Sequence, residues 1–231
     1  MRRVTGLLVA LALSQAAAAQ AQPGSPVDCG LPDRAVRVEG AAPELAHRLC
    51  AAAERGIRQL DACGLPTSPT MTIDVVAELT HAGIPCLGGH ECGADRVQLA
   101  APEAFERALA PDSAFRALPR PEFYDSVLVH ELAHAALDRQ VCADPPCAAE
   151  HEYVAYSMQM QSLDPAQRAR IVTAARGTDR VTETRLNEFI AFAAPETFAA
   201  WVWVHFSRPE NGCAFIGRLI SGEAQLGLGA F

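Results

Sequence analysis

Lysine is absent from this 231-residue chain: all 19 basic residues are arginine, set against 27 acidic ones for a formal charge of −8. With acids in excess and no basic stripe, no nucleic-acid partner is expected, because binding phosphates requires concentrated positive charge. No run of like charges, no internal repeat and no low-complexity tract follows residue 22. That excludes repeat architectures and charged tails. CxxC pairs are missing as well, which argues against a cysteine-ligated zinc site of the usual spacing. After the first 21 residues no apolar stretch is long enough to cross a bilayer, so no stable membrane insertion is expected.

What is present suits a packed core. Half of the residues are hydrophobic and 20% are charged, a balance that favours one globular domain over disorder. Residues 1–21 read as an export signal: Arg2 and Arg3, then an uncharged apolar run over 6–19, then small residues before a cut after Ala21 or, as second choice, Ala19. The mature chain, residues 22–231, is expected to be periplasmic or secreted. Eight cysteines all follow the signal, and in an oxidising compartment they read as up to four disulfides. Cys86–Cys92 and Cys142–Cys147 are expected local pairs. Cys50 and Cys63 fall on one predicted helix about 20 Å apart, too far to join. Their partners are then Cys29 and Cys213, and a strand–helix–strand unit would set Cys29 beside Cys63 and leave Cys50 for Cys213.

Periodicity predicts strands over 35–39, 71–79 and 95–100, the last an edge strand, and a loop over 80–94. Helices are predicted over 43–62, 102–109, 122–139, 148–163, 165–175, 184–193, 195–206 and 211–221, most with Pro, Asp or Asn near the start. Strands early and helices late give an α+β fold with one core and a small three-stranded sheet. The aromatic set Phe189, Phe192, Phe198, Trp201, Trp203 and Phe206 has helical spacing and reads as core.

The chemistry concentrates in Val127-Leu128-Val129-His130-Glu131-Leu132-Ala133-His134. His130 and His134 lie one helical turn apart, about 40° from each other around the axis. Two imidazoles so placed can bind one zinc ion. Glu131, one step round, sits beside the open coordination position, where a carboxylate can take a proton from the attacking water. The apolar flanks make the helix a buried one, and buried histidines need polar partners. A third ligand is expected from Glu150, His151 or Glu152 on the next helix. Glu152 follows His134 by 18 residues. Glu150 and Glu152 differ by about 200° around a helix, so only one of them can face the metal.

HELAH followed by a Glu on the next helix resembles the gluzincin branch of zinc metallopeptidases, in particular the small minigluzincins. It is also similar to a bacterial family of small exported HExxH proteins. The resemblance covers about residues 95–163. It implies a zincin-like domain with Zn2+ held by His130, His134 and Glu152, Glu131 as the catalytic general base, and a peptide or protein substrate. Glu152 is chosen over Glu150 because Glu152-Tyr-Val-Ala155 matches the E-x-x-A context of the family's ligand. A strand before the active helix would line the cleft and pair with an extended peptide. The family's Asp or Asn four residues after the Glu ligand is replaced by Tyr156, with Asp138 as a candidate substitute. Tyr124, Tyr153, Tyr156 and His205 are candidates for stabilising the transition state. No Gly and His follow His134 at metzincin spacing. The competing function is a non-catalytic zinc-containing protein of the cell envelope that binds or assembles others.

Overall fold

The computed structural model describes residues 25–138 and 148–227. The expected export signal and the expected Cys142–Cys147 pair lie outside the described residues. The sheet is built from β1 (Val27–Asp28), β2 (Ala35–Glu39), β3 (Thr70–Val76), β6 (Gly88–His90) and β7 (Arg96–Ala100), in the order β1-β2-β3-β7-β6. β2, β3 and β7 run parallel; β1 and β6 are antiparallel to their neighbours. A separate hairpin, β4 (Thr80–His81) with β5 (Ile84–Pro85), precedes β6.

The mixed sheet therefore has five strands where three were expected. The strand at 95–100 is not an edge: it lies between β3 and β6, with Ile73 opposite Val97 and Gly89 opposite Gln98. The stretch 80–94 is a hairpin and an edge strand rather than a plain loop. Glycine carries no side chain to alternate, so Gly88-Gly89-His90 gave no period-two signal.

The strands alternate as the pleat requires: Val36, Val38, Ile73, Val97 and Leu99 are buried. Helix α1 (Pro43–Ala62) connects β2 to β3 and buries Leu49, Ala53, Ile57 and Leu60. It starts with proline, whose missing N–H costs nothing in the first turn. After β7 come α2 (Pro102–Ala108), a 3-10 turn at Ala114–Ala117 and α3 (Arg120–Leu137). α3 packs against α1, the β6–β7 side of the sheet and α4 (Ala148–Ser162). Encased in this way, it is buried around most of its circumference, which explains why its apolar residues follow no single stripe. A Cβ built on Gly56 of α1 would lie 3.0 Å from Val129 Cγ2, so a glycine permits the close approach of α1 to α3.

The rest is helical: α5 (Pro165–Ala174), α6 (Glu188–Ala193), α7 (Pro195–Phe206) and α8 (Gly212–Ser221). Asp164 and Gln167 form a reciprocal capping box at the start of α5. The helix expected over 184–193 is divided into a 3-10 turn at Glu183–Arg185 and α6. Asn187 interrupts it, accepting a hydrogen bond from the Ile190 backbone N–H and so capping α6. Phe198, Trp201 and Phe206 join the core, but Phe189 and Phe192 on the short α6 are exposed. No helix of the described residues is long and apolar enough to cross a membrane.

Disulfides join Cys29 to Cys50 and Cys63 to Cys213, a different pairing from the expected one. The Cys29 backbone N–H donates to Val36 O in the β1–β2 ladder, and that ribbon lies over the middle of α1, where Cys50 sits. Cys63 caps the far end of α1 and meets the first turn of α8. Cys86 and Cys92 are not joined to one another. The two bridges agree with folding in an oxidising compartment.

Candidate metal centre

α3 supplies His130, Glu131 and His134; α4 supplies Glu152. The nitrogens His130 Nε2 and His134 Nε2 are 3.1 Å apart. Glu152 presents Oε2 at 3.6 Å from His130 Nε2 and Oε1 at 3.6 Å from His134 Nε2. Donors on a tetrahedral zinc, with bonds of about 2.0–2.1 Å, are separated by about 3.3 Å, a value that the observed separations bracket. His130, His134 and Glu152 thus form a group that could hold a metal ion. The donor set of two imidazoles and one carboxylate is one that catalytic zinc uses.

The electrostatics support the same fit. Burial lowers His130 to about 4 and His134 well below its ordinary 6.5, so both imidazoles are neutral at pH 7 and offer lone pairs. Burial raises Glu152 to about 7. Burial, reinforced by the charge of Glu152, raises Glu131 to about 8. Among the described residues no arginine offsets either carboxyl shift. A divalent cation among these groups would supply the missing positive charge.

Gln159, which sequence reasoning missed, orients His130. Its side-chain oxygen lies 3.1 Å from His130 Nδ1, and an amide oxygen can only accept, so Nδ1 carries the proton and Nε2 is left as a ligand. The amide nitrogen of Gln159 donates to Ser126 Oγ at 3.3 Å, and Ser126 donates to Phe123 O at 2.7 Å. Because Ser126 has spent its proton on the carbonyl, it can only accept from Gln159, which fixes the amide orientation. Gln159 lies seven residues after Glu152, two turns along the same face of α4. That spacing was the available signal. Tyr156, four residues after Glu152, instead packs its ring against His130, with centroids 4.6 Å apart.

Edge strand β6 was the other omission. A Cβ placed on Gly88 would fall 2.6 Å from Glu131 Oε1 and 2.7 Å from Cγ. Glycine is needed there because the strand backbone lies directly on the Glu131 carboxylate. Together β6, the β4–β5 hairpin, α3, α4 and the α6–α7 corner enclose a cleft of about 890 Å³ whose walls include Glu131, His134, Glu152, Ile84 and Phe192.

The remaining candidates are placed elsewhere. Glu150 points away and accepts from the Leu226 backbone N–H at 2.8 Å. His151 is half-buried, its ring centroid 6.4 Å from that of His134. Asp138 does not orient His134; its Oδ2 accepts from the Gly93 backbone N–H at 2.6 Å. Tyr124 donates to Ala100 O at 3.0 Å, and the Tyr153 hydroxyl meets His205 Nδ1 at 2.9 Å in the core. Neither these two tyrosines nor His205 line the cleft.

No curated protein and no solved structure matches the chain. The chain belongs to the family of unknown function DUF6639, whose model matches residues 36–228.

Proposed function

We propose that this DUF6639 member is an exported zinc-dependent metallopeptidase of zincin-like, minigluzincin type, with residues 22–231 as its single domain and peptides or proteins as substrates. One observation carries the reading: three zinc-compatible donors converge in a cleft, with the carboxylate of Glu131 beside them. In this reading His130 and His134 bind through Nε2 and Glu152 through its carboxylate. A zinc ion held there would supply Lewis acidity, polarising the scissile carbonyl and acidifying water.

The chain's own residues do the rest. Glu131 accepts a proton at a carboxylate oxygen as water attacks the peptide carbon, and returns it to the leaving amine nitrogen. A carboxyl with proton affinity raised toward neutrality is suited to both transfers. Gln159 holds His130 in its ligating tautomer, and β6 limits the space into which Glu131 can rotate.

The test is a peptide-library cleavage screen on the zinc-loaded protein, with Glu131→Gln as control. Loss of about 10²–10⁴-fold in rate with zinc retained is expected. Zinc-loaded wild type that cleaves nothing, or Glu131→Gln that cleaves as wild type does, contradicts the peptidase reading. The first result would favour the non-catalytic envelope role.

A further inference from the structure

A second group of metal-type donors lies at the end of α3. An imidazole nitrogen of His90, the sulfur of Cys92 and a carboxylate oxygen of Asp138 all fall within 4.8 Å of one another. His90 is the last residue of β6, Cys92 lies in the turn that follows, and Asp138 caps the C-terminus of α3. Three separate backbone positions therefore converge, and none of the three residues is needed at the His130, His134 and Glu152 centre.

The site is partly organised already. Asp138 is oriented by the Gly93 backbone N–H on its Oδ2. That bond fastens the turn carrying Cys92 to the helix carrying His134. Burial lowers the proton affinity of His90 and His151, and the charge of Asp138 acts on both in the opposite direction. Imidazole, thiolate and carboxylate together select a borderline divalent ion, zinc above all, over magnesium or calcium.

We propose that His90, Cys92 and Asp138 form a second zinc site, separate from the one on His130, His134 and Glu152. Binding converts the Cys92 thiol to a thiolate, forms a sulfur–metal bond and releases the proton to solvent. The ion ties the end of β6 to the end of α3. Those are the two elements whose contact at Gly88 and Glu131 shapes the main cleft, so the second ion acts as a clamp on the cleft wall. It takes no part in proton transfer. The proposal does not rest on the peptidase reading.

Cobalt titration of the chelator-stripped exported protein tests it, because only a thiolate ligand produces a sulfur-to-cobalt charge-transfer band in the near ultraviolet. Two equivalents and that band are expected in wild type. Cys92→Ser and His90→Ala should each abolish the band and lose one equivalent, while His134→Ala should lose one equivalent and keep the band. Wild type without the band, or a band that survives Cys92→Ser, overturns the second site. So does mass spectrometry of the alkylated protein that finds Cys92 in a disulfide. The two centres fail separately. One equivalent without the band, lost in His134→Ala, leaves only the main centre. One equivalent with the band, retained in His134→Ala, leaves only the second.

Discussion

Gly88→Ala is the most informative single substitution away from the ligands. The new Cβ would lie 2.6 Å from Glu131 Oε1, 2.7 Å from Cγ and 2.9 Å from Cδ. The carbon–carbon optimum is about 3.5 Å, so relief requires a movement of about 0.8 Å. Two bodies can move. Glu131 is on a helix packed on nearly every side, whereas β6 is a three-residue edge strand held by β7 alone within the sheet. Either the strand retreats or the carboxylate swings away from the cleft. Overpacking of this kind costs about 1–3 kcal/mol, and at about 2–4 °C per kcal/mol for a domain of this size the melting temperature should fall by about 2–12 °C. A carboxylate misplaced by about 1 Å should cost about 100-fold in turnover. Zinc content should be unchanged, since His130, His134 and Glu152 are not touched. Calorimetry, metal analysis and cleavage rate on one preparation give the three numbers. Wild-type melting together with wild-type turnover would refute the claim that β6 confines Glu131.

Gln159→Leu should weaken metal binding by about 10–100-fold in a competition titration, because His130 loses the acceptor that fixes its tautomer. The metal-free protein should lose stability as pH rises from about 6.5 to 8. Glu131 and Glu152 keep protons in the folded state up to about 8 and about 7, while the unfolded chain has released them, so folding binds protons across this window. Denaturant melts at several pH values should show the decline, and Glu131→Gln should flatten it. Removing the Cys63–Cys213 bridge by replacing both residues with serine should cost up to about 5 kcal/mol in the chain-entropy model, given the sequence separation of 150. Denaturant unfolding measures that loss.

The parts of the molecule that could be read in advance are those set by local chemistry. Proline at the first helical positions and a continuous apolar stripe marked both ends of α1, and the same reasoning placed α7. His130 and His134 were legible as a pair because one-turn spacing on a helix follows from its pitch, whereas Glu152 was singled out from Glu150 and His151 by the E-x-x-A context of the family it resembles. What escaped was decided by tertiary pairing. Strand order depends on which edges meet, and the two-glycine edge strand β6 leaves no hydrophobic pattern. Cys29 could be assigned to Cys50 only once the β1–β2 ribbon was known to cross the middle of α1. Gln159 looked like any polar residue of a helix until His130 was seen facing it. Phe189 and Phe192 shared the spacing of the core aromatics, but Asn187 shortens their helix and both emerge at the surface.

Zinc content compared across ligand variants tests the central claim most directly. Elemental analysis of well-folded wild type, His134→Ala, Glu152→Ala and Glu150→Ala should show one equivalent lost in each of the first two variants. Glu150→Ala should lose none, because that carboxylate serves the Leu226 backbone rather than the cleft. Wild-type zinc content in both His134→Ala and Glu152→Ala, or no zinc in wild type after metal is added, would contradict a metal centre built on α3 and α4.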